Sequence, residues 1–388
     1  MTLDLKRAVG WYKGAALMLL NTIVFFVILN LGIWGAISAR HWFSKDKYHV
    51  SHGYSTQSLR IVYPDLTDAE RTALLTEIWV RPMVYAQFME FKEQPIHGKY
   101  VNVSERGFRV NPPQGPWPID PKNYNIFVFG GSTTFGYGVA DDQTIPYYLQ
   151  SRLAKSNHGA RRTCVYNFGC GFYYSTQERI EFEQFLQSGI KPDLALFIDG
   201  LNDFFFAGGV LPYTPQLNKA MDPNNQFSRG LLDLSQMLPV GRALGFLGVA
   251  PDWPDQNKKA SPELLSRVID TYTWNKKAIE SIGRENGVPT VFVFQPVSMY
   301  KYDLTYHLFR EGAYGSGWQQ HINAIEGYPL MAKYVAEHPM GNDYLWLADI
   351  QEGKQKPIYC DQVHYTPEFD DEIAADLEKF LAAQNAMH

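Results

Sequence analysis

Four short patches stand in order along the chain, and each carries a residue type that acyl chemistry uses. Gly130-Gly131-Ser132-Thr133 offers a hydroxyl behind two glycines, and Asn167-Phe168-Gly169-Cys170-Gly171 offers backbone N–H groups in a small-residue turn. Asp199-Gly200-Leu201-Asn202-Asp203 adds a side-chain amide, and Asp361-Gln362-Val363-His364 sets a carboxylate three residues before an imidazole. A serine hydroxyl attacks a carbonyl only when a base takes its proton. An imidazole is that base, a carboxylate fixes its tautomer, and N–H donors stabilise the oxyanion that forms. Taken singly, each patch has a plainer reading. Ser132 is equally a helix N-cap, Gly169 and Gly171 a tight turn, Asn202 a loop cap and His364 a surface histidine. The four in this order make the chemical reading the stronger one.

Such residues are useful only if the fold gathers them. Apolar runs of strand length precede the first three patches: Asn125–Phe129, Thr163–Phe168 and Leu194–Asp199. Thr290–Gln295 reads as a fourth strand and Tyr344–Ile350 as a fifth. Helical patterns alternate with them, from Gln143 to Ala154, from Thr176 to Gln187, from Pro262 to Asn286 and from Glu368 to Ala383. The helix from Pro262 shows an apolar face of Leu264, Leu265, Val268, Ile269, Tyr272, Ile279 and Ile282. Buried strands alternating with helices predict an α/β fold with a parallel sheet covered on both faces. Ligands in such sheets bind beyond the carboxyl ends of the strands, where Ser132, Gly169 and Asn202 fall.

On these residues the chain resembles the SGNH hydrolases, the GDSL esterase/lipase superfamily, over about residues 125–380. That family keeps a Ser, a Gly, an Asn and a His in four blocks, and Ser132, Gly169, Asn202 and His364 match them in order. The resemblance implies a three-layer, flavodoxin-like fold on a five-stranded parallel sheet, and ester or acyl-group chemistry. By this likeness Ser132 is the nucleophile, His364 the base and Asp361 its orienting acid. The N–H groups of Ser132 and Gly169 and the amide of Asn202 form the oxyanion hole. The chain departs from the GDS signature at one place, with Gly131 where the family has Asp. Asp203 reads as structural, and Gln295-Pro296 as lining for the pocket.

The rest of the chain narrows the class. It has 388 residues, 45% hydrophobic and 19% charged, which suits a packed globular body. A net charge of -5 and the absence of a basic stripe speak against nucleic acid. Neither a metal-ligand spacing nor a phosphate-binding GxxxxGK[ST] appears, so no metal and no cofactor are expected. Three cysteines are too few for a disulfide framework. Cys164 and Cys170 flank one strand end and allow a bridge, but free buried thiols are the favoured reading.

Gly14 to Ala39 contains no charge and is long enough to cross a bilayer as a helix. It exceeds the apolar core of a cleaved signal peptide, so it reads as a single anchor with the N-terminus inside and the large domain outside the cytoplasm. Domains are expected at 1–42 (tail and anchor), 43–122 (connector and pre-core region) and 123–388 (hydrolase domain). The pre-core region shows a capping box at Thr67–Glu70 and no chemical motif. Insertions at about 204–260 and 299–341 follow strand ends and are expected to wall the site. Three functions stay open: a membrane-anchored serine esterase for acyl esters of a glycan or lipid, an acyltransferase to a sugar on the same site, and a tethered binding protein without catalysis.

Overall fold

The structure, a computed structural model, describes residues 2–43, 53–156, 161–208, 214, 238–239, 259–312, 317–318 and 321–384. The chain divides into two compact units, one containing helix α1 (Thr2–Phe43) and the other running through 46–211 and 255–388. In α1 the stretch Arg7–Ala39 spans 33 residues and holds an 18-residue window of mean hydropathy 2.3, long and apolar enough to cross a membrane. Two of its polar side chains bond back to the helix's own carbonyls. Thr22 Oγ1 donates to Met18 O and Asn30 Nδ2 to Phe26 O, each at 2.8 Å, which is how an apolar surrounding is tolerated.

The second unit opens with helices α2 (Thr56–Val62) and α3 (Asp68–Trp79). The Thr67 hydroxyl accepts the Glu70 N–H while the Glu70 carboxylate accepts the Thr67 N–H, completing the expected capping box. A hairpin follows, β1 (Met83–Ala86) paired antiparallel with β2 (Glu90–Glu93), then a short pair, β3 (Ile96–His97) and β4 (Asn102–Val103).

The central sheet contains β5 (Tyr124–Gly130), β6 (Thr163–Gly169), β7 (Leu194–Asp199), β8 (Thr290–Phe294) and β9 (Tyr344–Trp346). All pairs are parallel and the order is β6-β5-β7-β8-β9. The connecting helices are α4 (Ser132–Phe135), α5 (Ile145–Ser156), α6 (Ser175–Gln187), α7 (Leu201–Phe205), α8 (Pro262–Asn286) and α9 (Ile322–Glu337), and α10 (Pro367–Ala383) closes the chain. This is the expected three-layer, five-stranded, flavodoxin-like arrangement. The fifth strand is shorter than the expected Tyr344–Ile350. Its neighbour β8 stops before Pro296, which has no N–H to continue the ladder.

The pleat sorts side chains by type. Ile126, Val128, Leu194, Leu196, Ile198 and Val293 face α5 and α10 in one aliphatic core. Their alternates Phe127, Phe129, Phe197 and Phe292 face the other layer in an aromatic core, as a period of two requires. There the rings of Phe129 and Phe197 stack at 4.9 Å, and those of Phe197 and Phe292 at 5.4 Å, crossing three strands. Helix α8 is bounded as its sequence implies, with Ser261 capping the Leu264 N–H, Pro262 in the first turn and Gly287 left-handed after it. Cys164, Cys170 and Cys360 are all free and buried, so the bridge allowed between the first two is not formed.

The region before the sheet is part of this unit. Arg109 bridges antiparallel to Asn167 on β6 and so covers that edge of the sheet. Of the two insertions, most of 204–260 and part of 299–341, including Ala313 to Ser316, lie outside the described residues.

Candidate active site

Strand β5 ends at Gly130 and the chain turns at once into α4, whose first residue is Ser132. Far along the chain, the bridge between Tyr359 and Tyr365 closes a tight loop that holds Asp361 to His364. Within that loop the three-residue spacing acts locally. The N–H groups of Val363 and His364 both donate to Asp361 Oδ1, at 2.9 and 2.8 Å, as in an Asx turn. The other carboxylate oxygen, Oδ2, is left to accept from His364 Nδ1 at 2.7 Å. A carboxylate only accepts, so Nδ1 carries the proton and Nε2 is free to accept. The Ser132 hydroxyl lies 2.7 Å from that Nε2.

The three groups are thus joined in one chain of hydrogen bonds across 232 residues of sequence. Asp361 and His364 are buried, whereas Ser132 keeps partial exposure. Burial raises the Asp361 pKa, but the His364 charge and the hydrogen bonds from His364 and Val363 outweigh it and hold the group at about 2. It is therefore a carboxylate at neutral pH. Such an arrangement can draw a proton from a hydroxyl and hold the resulting imidazolium.

The donors expected for an oxyanion divide. Asn202, in the first turn of α7, does not cap its own helix. Its Nδ2 crosses to Tyr173 O at 2.7 Å, spending one of two amide N–H bonds. Ser132 N–H heads α4, where first-turn N–H groups have no intrahelical partner. Gly169 differs from expectation: its N–H donates to Asn167 Oδ1 at 3.0 Å and is spent there. The neighbouring turn is used up likewise. Cys170 N–H goes to Gly130 O at 3.0 Å and Gly171 N–H to Glu93 Oε1 at 2.8 Å. Gly169 is glycine for another reason. A Cβ there would lie 2.2 Å from the backbone nitrogen of Phe135 in α4. The Asn two residues before the glycine was the local sign that its N–H would be taken.

Other expected residues have structural places. Asp203 accepts the Ser175 hydroxyl at 2.6 Å, in keeping with an orienting role. Gln295 is buried, and its Oε1 accepts the Thr133 hydroxyl at 2.8 Å, bracing the residue after Ser132. Cys360, beside Asp361, has a buried thiol whose pKa is pushed well up by burial and by Asp361, which makes it a poor nucleophile. Burial holds His307 and His321 down at about 4, so both are neutral at pH 7. His307 takes the Phe309 N–H on Nδ1 and donates from Nε2 to Gln362 O, steadying the loop that carries Asp361.

Several residues against the site gave no signal in the sequence. The Trp79 ring meets the His364 imidazole edge to face at 5.4 Å, and the Tyr137 ring stacks on it at 5.4 Å. Arg109 is fully buried below α4. It donates to Asp141 Oδ1 at 2.8 Å, to Phe135 O at 3.0 Å, to Gly136 O at 2.6 Å and to Val139 O at 2.7 Å. These contacts hold the chain just after Ser132. Among the described residues no group of His, Cys, Asp and Glu has a metal-holding arrangement.

No family model and no curated protein matches the chain. Solved structures with some likeness include a lipolytic protein of the G-D-S-L family from Desulfitobacterium hafniense, with a TM-score of 0.34 and 12% identity over 68% of this chain and 99% of that one. An acetyl xylan esterase gives 0.36 and 12% over 66% and 98%. The esterase EstA from Pseudoalteromonas sp. gives 0.34 and 11% over 68% and 98%. Scores this low carry no weight for the site, whose reading rests on its own geometry.

Proposed function

We propose that the chain is an SGNH-type serine hydrolase of carboxylic esters, anchored in a membrane through residues 14–39. The observation that carries this reading is the hydrogen-bonded line Ser132–His364–Asp361, with 2.7 Å at each step. Ser132 Oγ attacks the acyl carbon while its proton passes to His364 Nε2. The oxyanion draws on the Ser132 N–H and the second N–H of the Asn202 amide. Asp361, ionised throughout, stabilises the imidazolium. The tetrahedral adduct then expels the alcohol, which takes the proton from Nε2, and leaves an acyl-Ser132 ester. Water, deprotonated by the same imidazole, releases the acid and restores the hydroxyl.

The substrate class we assign is an acyl ester of a glycan or lipid, O-acetyl esters included, outside the cytoplasm. The apolar helix α1 supports attachment to a membrane, beside which such esters occur. The test uses the full chain in detergent micelles, with p-nitrophenyl esters of short and medium chain length and a fluorophosphonate probe. Turnover and labelling that both vanish in Ser132→Ala and His364→Ala are the expected result. A folded protein that neither turns over esters nor takes the probe overturns the hydrolase reading. Labelling at Ser132 without ester turnover identifies a transferase lacking its acceptor.

A further inference from the structure

The structure assigns Glu93, from the hairpin ahead of the sheet, as a positioning residue that ties the oxyanion side of the site to the histidine side. The inference rests on the Ser132–His364 reading above. Glu93 is almost fully buried at the end of β2, and one oxygen, Oε1, accepts two hydrogen bonds: from Gly171 N at 2.8 Å and from Tyr137 Oη at 2.9 Å. Its other oxygen lies 2.7 Å from Arg81 Nη2, a close charge pair.

One bond leads to the turn that meets Asn202, the other to the ring that meets His364. Through Gly171, Glu93 fixes the turn after β6. The same strand grips that turn again where Tyr173 Oη donates to Phe91 O at 2.6 Å. The turn in turn receives the Asn202 amide at Tyr173 O. Through Tyr137, Glu93 fixes the ring stacked 23° from parallel on the His364 imidazole. Burial and the adjacent Glu93 raise the Tyr137 pKa well above its ordinary value, so the hydroxyl stays a donor. A carboxylate buried only to hold the hairpin would not need to hold both the support of the base and the support of the oxyanion donor.

The role predicts that activity follows the acceptor oxygen and not the charge. Glu93→Gln keeps an oxygen for Gly171 and Tyr137 but leaves Arg81 without a carboxylate. Tyr137→Phe keeps the ring stack and the charge pair but loses the anchor. Glu93→Met removes both bonds. The readout is the rate of fluorophosphonate labelling at Ser132 in the full chain in micelles, with thermal unfolding beside it. Tyr137→Phe is expected to slow maximal labelling about tenfold and Glu93→Met about 10². The loss should fall on the maximal rate and not on the half-saturating probe concentration. Glu93→Gln is expected to unfold at lower temperature yet label within about threefold of the wild type, because both acceptor bonds persist. If Glu93→Met does not fold, Tyr137→Phe decides. Labelling of Tyr137→Phe at the wild-type rate, or rates that merely track unfolding temperature across the set, overturns the assignment. A wild-type chain that does not label at Ser132 overturns the hydrolase reading first, and this assignment with it.

Discussion

Asn202 passes so close to Gly131 that a Cβ built on the glycine would lie 2.5 Å from its Nδ2 and 3.1 Å from Tyr173 O, the acceptor Asn202 uses. The amide crosses the front of the turn, and a side chain at 131 would push it away.

Gly131→Ala should therefore damage the site more than the fold, because the atom it meets is the end of a side chain. We expect kcat to fall at least about tenfold, approaching the 10²–10³ of a lost oxyanion donor. Thermal unfolding should change little. Gly169→Ala meets backbone in α4 at 2.2 Å and should behave in the opposite way. A loss of about 1–3 kcal/mol in stability is expected, as for overpacked cores. Parallel ester assays and denaturant unfolding compare the two. Equal stability losses would refute the distinction.

Asp361→Asn tests the tautomer argument. The carboxylate accepts from Nδ1 and so leaves Nε2 without a proton. An amide nitrogen in its place would donate to Nδ1 and put the proton on Nε2, facing Ser132. A fall of about 10⁴ in kcat with little change in KM is expected. Steady-state kinetics on the purified variant would settle it, and a loss under tenfold would show that Asp361 does not select the tautomer.

Three carboxyls buried beside α7 predict the pH dependence of stability. Burial, only partly offset by hydrogen bonds from Ser175 and the backbone, raises Asp203 to about 6. Burial and neighbouring carboxyls push Glu178 and Asp199 up as well. A raised folded pKa means that the folded protein keeps a proton which the unfolded chain gives up near pH 4. The stabilisation is whole below that pH and is lost as pH rises through about 6. Asp361 works in the other direction, and its share is lost only as pH falls towards about 2. The unfolding free energy should fall between pH 4 and pH 7 by on the order of 2 kcal/mol from Asp203 alone, and the unfolding temperature should fall with it. In Asp203→Asn that slope should be shallower, measured by thermal melts across the range. A profile parallel to the wild type would count against it.

Arg109 predicts a fold defect with a local centre. Its guanidinium satisfies Asp141 and three carbonyls in the segment after Ser132, all buried. Arg109→Met takes the buried charge partner from Asp141, which keeps only the Asn102 donors, and removes the guanidinium from three carbonyls, of which Phe135 O keeps Asn167 Nδ2. About 3–5 kcal/mol of stability should go with it. Urea unfolding monitored by tryptophan fluorescence measures it. A loss below about 1 kcal/mol would mean that water replaces the guanidinium, which its complete burial argues against.

The sequence by itself determined the elements. Strand runs, helix periodicity, the Thr67–Glu70 box and the Ser261-Pro262 start are written in neighbours a few residues apart, and apart from the shorter fifth strand the structure shows them within a residue or two of their expected ends. The Asp361–His364 contact was legible for the same reason, since an Asx turn closes over three residues. Even the convergence of Ser132 and Asn202 followed from their places after parallel strands. Tertiary structure alone decided the fate of the N–H groups that follow β6: Cys170 gives its own to Gly130 O and Gly171 gives its own to Glu93 Oε1. It also decided that Trp79, Glu93 and Arg109, in a stretch without any motif, stand against the site. Their partners lie tens to hundreds of residues away. Hydrophobic period and capping report only the local chain, whereas the pairing of a buried charge or ring depends on which surfaces the whole core brings together.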